Sequence, residues 1–360
     1  MRLWAIKVPR SMAEHVRRRL LIAGLIHPDV KICQNGQFIL IPVIKKPDMS
    51  LLNDDIDNAN NTDNTTIIES DFEPRHHNNR PSLEDELGFS PAYDVIGDIA
   101  LIDMDDQDAG KIASALILCK KNIKVVLGTA GPVSGEFRTR DLVILAGEHR
   151  THTIHTEFGC RYKLDLSLVY FSHRLGTERK RVADTVKSQQ KIVDLFAGVG
   201  PFSILIAKSV PGTSVVAVDK NPKAVLFLKE NIRLNRLDNV VVVEDDARQA
   251  AYKLRHCADH VIMNLPHSSR EFLNSGMMVV KNGGLVHFYD ITPEDDLYRT
   301  SWEIIQDTAI SIGRKVECVE KRIVRSYAPH QYNVYIRFRL IDLNMRGKGF
   351  EPSYSCEIAP

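Results

Sequence analysis

Lys191-Ile-Val-Asp-Leu-Phe-Ala-Gly-Val-Gly-Pro-Phe202 decides the fold of this 360-residue chain. A short apolar run reaches Asp194, passes Phe196, Gly198 and Gly200, and opens a helix near Phe202, the form of a buried strand feeding a helix through a tight turn. Glycines there let a ligand approach the backbone beside a helix N-terminus. Alone the turn is weak, because any tight strand-to-helix connection produces it. The residues that follow give it weight. SVVAVD ends at Asp219, a helix runs from Pro222 to Asn235, VVVVEDD ends at Asp245 and Asp246, and HVIMNLP ends at Asn264 and Pro266. GGLVHFYD, a long helix from Glu294, RIVRSYA and YNVYIRFRLI complete the series. Strands alternating with helices over 181–343 predict a mainly parallel sheet covered on both faces.

Upstream the pattern changes twice. Residues 1–45 read as a small α+β module: strand LWAIKV, helix SMAEHVRRRLLIAG, and two strands around a turn at Asn35-Gly36. Arg17, Arg18 and Arg19 on that helix read as a solvated face. Residues 46–81 are rich in Asn and Asp with almost no periodicity, which predicts a flexible linker, His76 and His77 included. Residues 82–180 read as a second α+β module: strand VIGDIALIDM, a helix from about Asp106, then IKVVLG, LVILAG, HTIHTEFG and YKLDLSLVYF. The 344–360 tail falls outside every pattern.

Composition narrows the setting. With 44% apolar and 26% charged residues the chain is an ordinary globular protein. Its six cysteines form no C-x-x-C pair, so reduced packing thiols are expected and no metal site. No apolar run approaches the roughly 18 residues of a membrane span, and no secretory h-region opens the chain, so a cytoplasmic protein without membrane contact is expected. A net charge of +1 means that any nucleic-acid surface is a local patch. Nothing signals an obligate protein partner, and a monomer is expected.

An acid at the tip of the second strand, Asp219, is placed to accept ribose hydroxyls, as dinucleotide enzymes also use it. Asp245 reads equally as a helix cap or a ligand contact. The choice between NAD and S-adenosylmethionine falls on Asn264-Leu-Pro-His267, a variant of the Asn-Pro-Pro-aromatic motif of methyltransferases that act on planar nitrogens. A dehydrogenase has no need of it.

Val169-Tyr-Phe-Ser-His-Arg-Leu-Gly-Thr-Glu-Arg179, with VRSYAP at Val324–Pro329, resembles the archaeal and eukaryotic tRNA (guanine, position 37, N1) methyltransferases. Their motif reads YFSPRLATER, so His173 and Gly176 depart from it. The resemblance covers nearly the whole chain. It implies an α/β architecture, a Rossmann-like class I methyltransferase domain preceded by two small α+β modules, the first of which checks tRNA shape. It further implies S-adenosyl-L-methionine as cofactor and the tRNA anticodon loop and body as partner. Glu178 falls on the general base, Arg138 on the arginine at guanine O6, and Asn264 on the amide that orients the base. Tyr170, Asp194, Phe196, Asp219 and Asp246 fall on the cofactor pocket, joined by Gly198, Gly200, Asn264 and Pro266 of the turn and loop. Arg174, Arg179 and Arg181 form a basic cluster suited to phosphates.

The chemistry asks for such groups independently. Guanine N1 carries a proton at neutral pH, so a carboxylate must remove it, a contribution of about 10²- to 10⁴-fold. Negative charge then moves to O6, where a guanidinium stabilises it. N1 lies on the Watson-Crick edge, so the base must leave its stack. Two relatives of the same fold compete: aminocarboxypropyl transfer in wyosine synthesis, whose members resemble FSSGN where this chain reads FSHRL, and C7 methylation of the wyosine precursor. A catalytically inactive RNA-binding protein is the reading from another class.

Overall fold

The computed structural model describes residues 1–48, 65–74, 81–135 and 139–342, in two units, Met1–Pro81 and Ser82–Pro360. Arg138, His76, His77 and the tail from Asn344 lie outside the described residues.

In the first unit β1 (Arg2–Pro9) is the spine. α1 (Ala13–Ile22) buries Val16 and Leu20 against Ile6, Val8 and Ile41. β2 (Cys33–Asn35) and β3 (Phe38–Pro42) turn at Gly36, φ 61°, as the Asn-Gly pair predicts. On α1, Arg17 and Arg18 both pair with Glu14 in solvent. The 46–81 linker needs correction. Thr66–Asp71 is strand β4, antiparallel to β1 at the other edge from β3. Ile67 packs on the α1 side and Ile68 with Phe72 on the opposite side. Two isoleucines inside an acidic, Asn-rich run are too few to raise a periodic signal, yet they suffice once β1 offers an unpaired edge.

The second unit opens with α2 (Leu83–Leu87), held by a reciprocal Ser82–Asp85 capping box. The expected single strand VIGDIALIDM is a hairpin, β5 (Asp94–Ile96) and β6 (Ile99–Asp103), reversed at Gly97, where φ is 61° and a Cβ would meet Thr153 Oγ1 at 2.1 Å. α3 (Ala109–Cys119) crosses over to β7 (Val125–Ser134), parallel to β6, and β8 (Thr139–Gly147) returns antiparallel.

β9 (His152–Glu157) and β10 (Cys160–Asp165) form a separate two-stranded hairpin, followed by α4 (Gly176–Ala183). Next come β11 (Lys191–Asp194), α5 (Pro201–Ser209), β12 (Ser214–Asp219) and α6 (Pro222–Leu234). β13 (Val240–Glu244), α7 (Ala247–Lys253), β14 (Ala258–Met263) and α8 (Leu273–Val279) continue the alternation. β15 (Val280–Pro293), α9 (Arg299–Ser311), β16 (Arg314–Ala328) and β17 (Gln331–Asp342) close it. The sheet order is β13-β12-β11-β14-β15-β17-β16, parallel through β15 and antiparallel for the last two strands. Apolar side chains pack on both faces, as the unbroken runs KIVDL and VVVV require.

One boundary shifts. α9 starts at Arg299, because Leu297 at φ 46° turns the chain after Pro293. The β9–β10 hairpin is tied to this sheet's helix α6 as well as to the second module, where Thr153 and His155 bond Asp98 and Gly97. Asn231 on α6 accepts from Lys163 N at 2.7 Å and donates to Lys163 O at 3.0 Å, and Asn235 grips Arg161 N and O in the same way. Residues 152–165, which the sequence pattern places in the second module, are thus held by the large sheet's α6 as well.

Candidate active site

Four strand ends build one cavity of about 460 Å³, inside the usual range for a small-molecule site. Phe196 and Gly198 follow β11, Asp219 ends β12, Asp245 and Asp246 follow β13, and Asn264, Leu265 and His267 follow β14. This is the carboxyl edge of the parallel strands, where open α/β sheets bind ligands. Tyr170, from the VYFSHRLGTER stretch, closes one side.

The turn is tied to the second strand. Asp219 accepts from Gly198 N at 2.6 Å and from Asn221 N at 2.9 Å. Burial raises its pKa, and those two N–H bonds pull the other way. Phe196 meets Phe272 edge to face at 5.1 Å, and the Arg248 guanidinium lies 4.1 Å over Phe272. Asp246 caps α7 through Arg248 N, 2.8 Å, while Asp245 pairs with Lys253. The cap left open for Asp245 thus falls to its neighbour.

Asp194 and Gly200 do not line the cavity. Asp194 is 1% exposed beneath the turn, accepting from the Ser203 hydroxyl at 2.8 Å and from Phe196 N. Burial pushes its pKa up to about 7, against those two hydrogen bonds and helped by the neighbouring Asp219 charge. Gly200 caps α5 at φ 93°, where a Cβ would meet Leu228 at 2.4 Å. Pro266 lines a smaller adjoining cleft with Tyr170, Asn264, Arg325, Tyr327 and Asn333. Asn264 and Tyr327 face both spaces.

Glu178 is only 4% exposed and lines neither space. It stands in the first turn of α4, where negative charge is favoured. Its carboxylate accepts from Arg181 Nη2 at 2.9 Å and from the Tyr289 hydroxyl at 2.7 Å, and it pairs with Arg322. The basic cluster is likewise engaged. Arg179, 1% exposed, is locked to Glu157 and the Ser172 carbonyl, where no phosphate reaches it. Arg181 holds Glu320 as well as Glu178, and Arg174 forms a bidentate pair with Asp94 while staying half exposed. Arg322, Tyr289 and Phe272 gave no sequence signal, an arginine in an alternating strand reading as solvated, and Arg325 entered only within the VRSYAP segment.

Residues 153–318 match the family described as TRM5/TYW2 methyltransferase domain. Residues 5–51 match the tRNA methyltransferase 5 N-terminal domain and 81–151 the TYW2 N-terminal domain. Over 346 residues the chain is 40% identical to tRNA (guanine(37)-N(1))-methyltransferase Trm5b of Pyrococcus abyssi, covering 93% of this chain and 98% of that protein. It is 34% identical over 244 residues to a tRNA(Phe) (4-demethylwyosine(37)-C(7)) aminocarboxypropyltransferase of Methanocaldococcus jannaschii, covering 68% and 96%. A solved complex of aTrm5 and tRNALeu has the same architecture, with TM-score 0.65, 31% identity, and coverage of 94% and 99%.

Proposed function

The chain belongs to the TRM5/TYW2 methyltransferase family, and on that premise we propose that it transfers the methyl group of S-adenosylmethionine to N1 of guanosine 37 in tRNA. Asn264 carries the reading. Its Oδ1 is buried without a partner among the described residues, at the wall shared by the large cavity and the cleft beside Tyr170. An unpaired buried acceptor costs about 1–3 kcal/mol. A heteroaromatic edge bearing an N–H offsets that cost, and a simple turn would not incur it.

The cavity residues fit the cofactor. Asp219 keeps lone pairs for ribose hydroxyls beyond the two backbone N–H groups it accepts from. Phe196 and Phe272 offer an apolar wall for adenine, with Asp246 at the rim. When bound, S-adenosylmethionine supplies an electrophilic methyl group on sulfur. Asn264 orients the guanine, Arg138 stabilises charge on O6, and Glu178 takes the N1 proton once its side chain leaves the Arg181–Arg322–Tyr289 cage. The first unit checks tRNA shape, and Arg174 meets backbone phosphate. Arg174 and Glu178 in FSHRLGTE favour methyl transfer over aminocarboxypropyl transfer.

Labelled S-adenosylmethionine incubated with transcripts bearing G or A at position 37 tests the reading: only the G transcript acquires label, as 1-methylguanosine. Equal labelling of both rejects it. Glu178→Gln lowers kcat at least about 10²-fold with cofactor affinity kept. The cage supports a second role for this residue, a structural charge; turnover preserved together with a lowered Tm would assign Glu178 to that role.

A further inference from the structure

A single backbone N–H fixes the state of a buried chain of rings that crosses the large sheet. Lys187 N donates to Gln190 Oε1 at 2.6 Å, so that atom is an acceptor. His260 Nε2, 3.1 Å from the same oxygen, must then carry its proton. Neutral His260 keeps only a lone pair at Nδ1, so His287 Nε2, 2.8 Å away, donates to it. By the same step His287 Nδ1 accepts, and the Tyr335 hydroxyl, 2.8 Å from it, is the donor. The three side chains are buried on the neighbouring strands β14, β15 and β17. Burial keeps both imidazoles neutral; among the charges around them Arg181, Arg337 and Arg339 act with it and Asp259 against it. Every hydrogen bond therefore points the same way, from Tyr335 toward Gln190, and bonds so aligned polarise one another.

The far end of the chain lies under the proposed base. The Arg181 guanidinium sits 4.2 Å over the Tyr335 ring, and that of Arg322 sits 5.6 Å from it. A phenol that donates its hydrogen gains electron density in the ring and attracts a cation on its face more strongly. Arg181 stands three residues after Glu178 on α4 and holds both that carboxylate and Glu320. When Glu178 leaves to take a proton, Arg181 must stay behind, because a guanidinium that followed would arrive still paired and blunt the carboxylate as a base. Tyr335 and Glu320 provide that hold. We infer that His260, His287 and Tyr335 are positioning residues for Glu178, acting through Arg181: the aligned chain keeps the guanidinium seated on the sheet while the carboxylate swings away. This rests on the proposed role of Glu178 and adds to it the residues that let the carboxylate depart alone.

Nitrogen NMR spectra of the full chain with isotope-labelled histidine read the chain directly, His260→Gln and His287→Gln assigning the two rings. Near neutral pH both rings are expected neutral and protonated at Nε2. A charged ring, or one protonated at Nδ1, overturns the inference whether or not any variant folds. Gln190 lines neither the cofactor cavity nor the adjoining cleft, and Gln190→Lys replaces the anchoring acceptor by a donor. Both rings are expected to turn to the Nδ1-protonated form, and kcat on guanosine-37 transcripts to fall about three- to tenfold with KM for cofactor and tRNA within about twofold of wild type. Tyr335→Phe gives a fall of the same size, and the double variant no further one, since without the hydroxyl the direction of the chain has nothing to act on. Rings that do not turn, or that turn with kcat unchanged, overturn the inference. So do additive losses, or a KM that moves with kcat, the mark of a purely structural chain. Wild-type protein that leaves the guanosine transcript unmethylated counts against the methylation reading itself, a result separate from the tautomers.

Discussion

Asp194 and Gly200 sit in the stretch that announces the fold, and both serve the turn more than the ligand. Asp194 is sealed under Phe196 and shares its proton budget with Ser203 and Asp219. Replacing it by Asn keeps the shape and a partner for Ser203 while removing a charge that burial opposes. Asp194→Asn is expected to leave stability at pH 8 unchanged or higher, read as a urea midpoint; a loss above about 2 kcal/mol would show that the charge itself holds the turn. Gly200→Ala is the opposite case. At φ 93° with Leu228 and Ile204 against the new Cβ, both backbone and packing resist it. The expected cost is about 1–3 kcal/mol, seen as a lowered Tm.

At the scale of elements, the sequence was most legible where one force acted alone. The parallel strands read correctly because burial on both faces writes continuous apolar runs, and each strand end then delivers Phe196, Asp219, Asp246 and Asn264 to one edge without further information. β4 and the β5–β6 hairpin were missed because tertiary pairing decided them: an open edge of β1 recruited Ile67 and Ile68, and Gly97 folded back under Thr153. Arg179 and Arg181 read as a phosphate patch since their acids, Glu157 and Glu320, lie 22 and 139 residues away. The hairpin β9–β10 gives this a measurable form. Asn231 is fully buried and joins it to α6 and to the Val199 carbonyl with three hydrogen bonds. Asn231→Ala leaves those groups unpaired and is expected to cost about 3 kcal/mol or more in urea unfolding. Glu230→Gln, which removes only an exposed pair with Lys163, is expected to cost under about 1 kcal/mol; equal effects from the two would mean that the amide clamp does not hold the hairpin.

For the whole molecule, buried groups on the large sheet set how stability follows pH. His260 and His287 are hydrogen-bonded to each other, 2.8 Å, and His287 to the Tyr335 hydroxyl, 2.8 Å. Burial lowers both, His260 to about 4 and His287 well below its ordinary value, so the folded chain holds them neutral while an unfolded chain protonates them below about 6.5. Their contribution is present above 6.5 and is lost as pH falls toward 4. Asp194 works in reverse: with its folded pKa near 7 its contribution is full below 3.8 and fades as pH rises through 7. Between pH 4 and 6.5 the unfolded chain thus gains two histidine protons and loses one from Asp194, with Asp219, which burial also raises, acting in the same direction as Asp194. Unfolding free energy is expected to fall as pH falls through that window, by at most roughly 1.4 kcal/mol per pH unit. Half-buried His173, lowered by burial, steepens it slightly. Asp194→Asn removes one opposing proton and should steepen the slope, whereas His260→Gln should flatten it. Urea unfolding of the three proteins at pH 7 and pH 5 checks this, and a wild-type slope of opposite sign would mean that the carboxyls outweigh the imidazole pair.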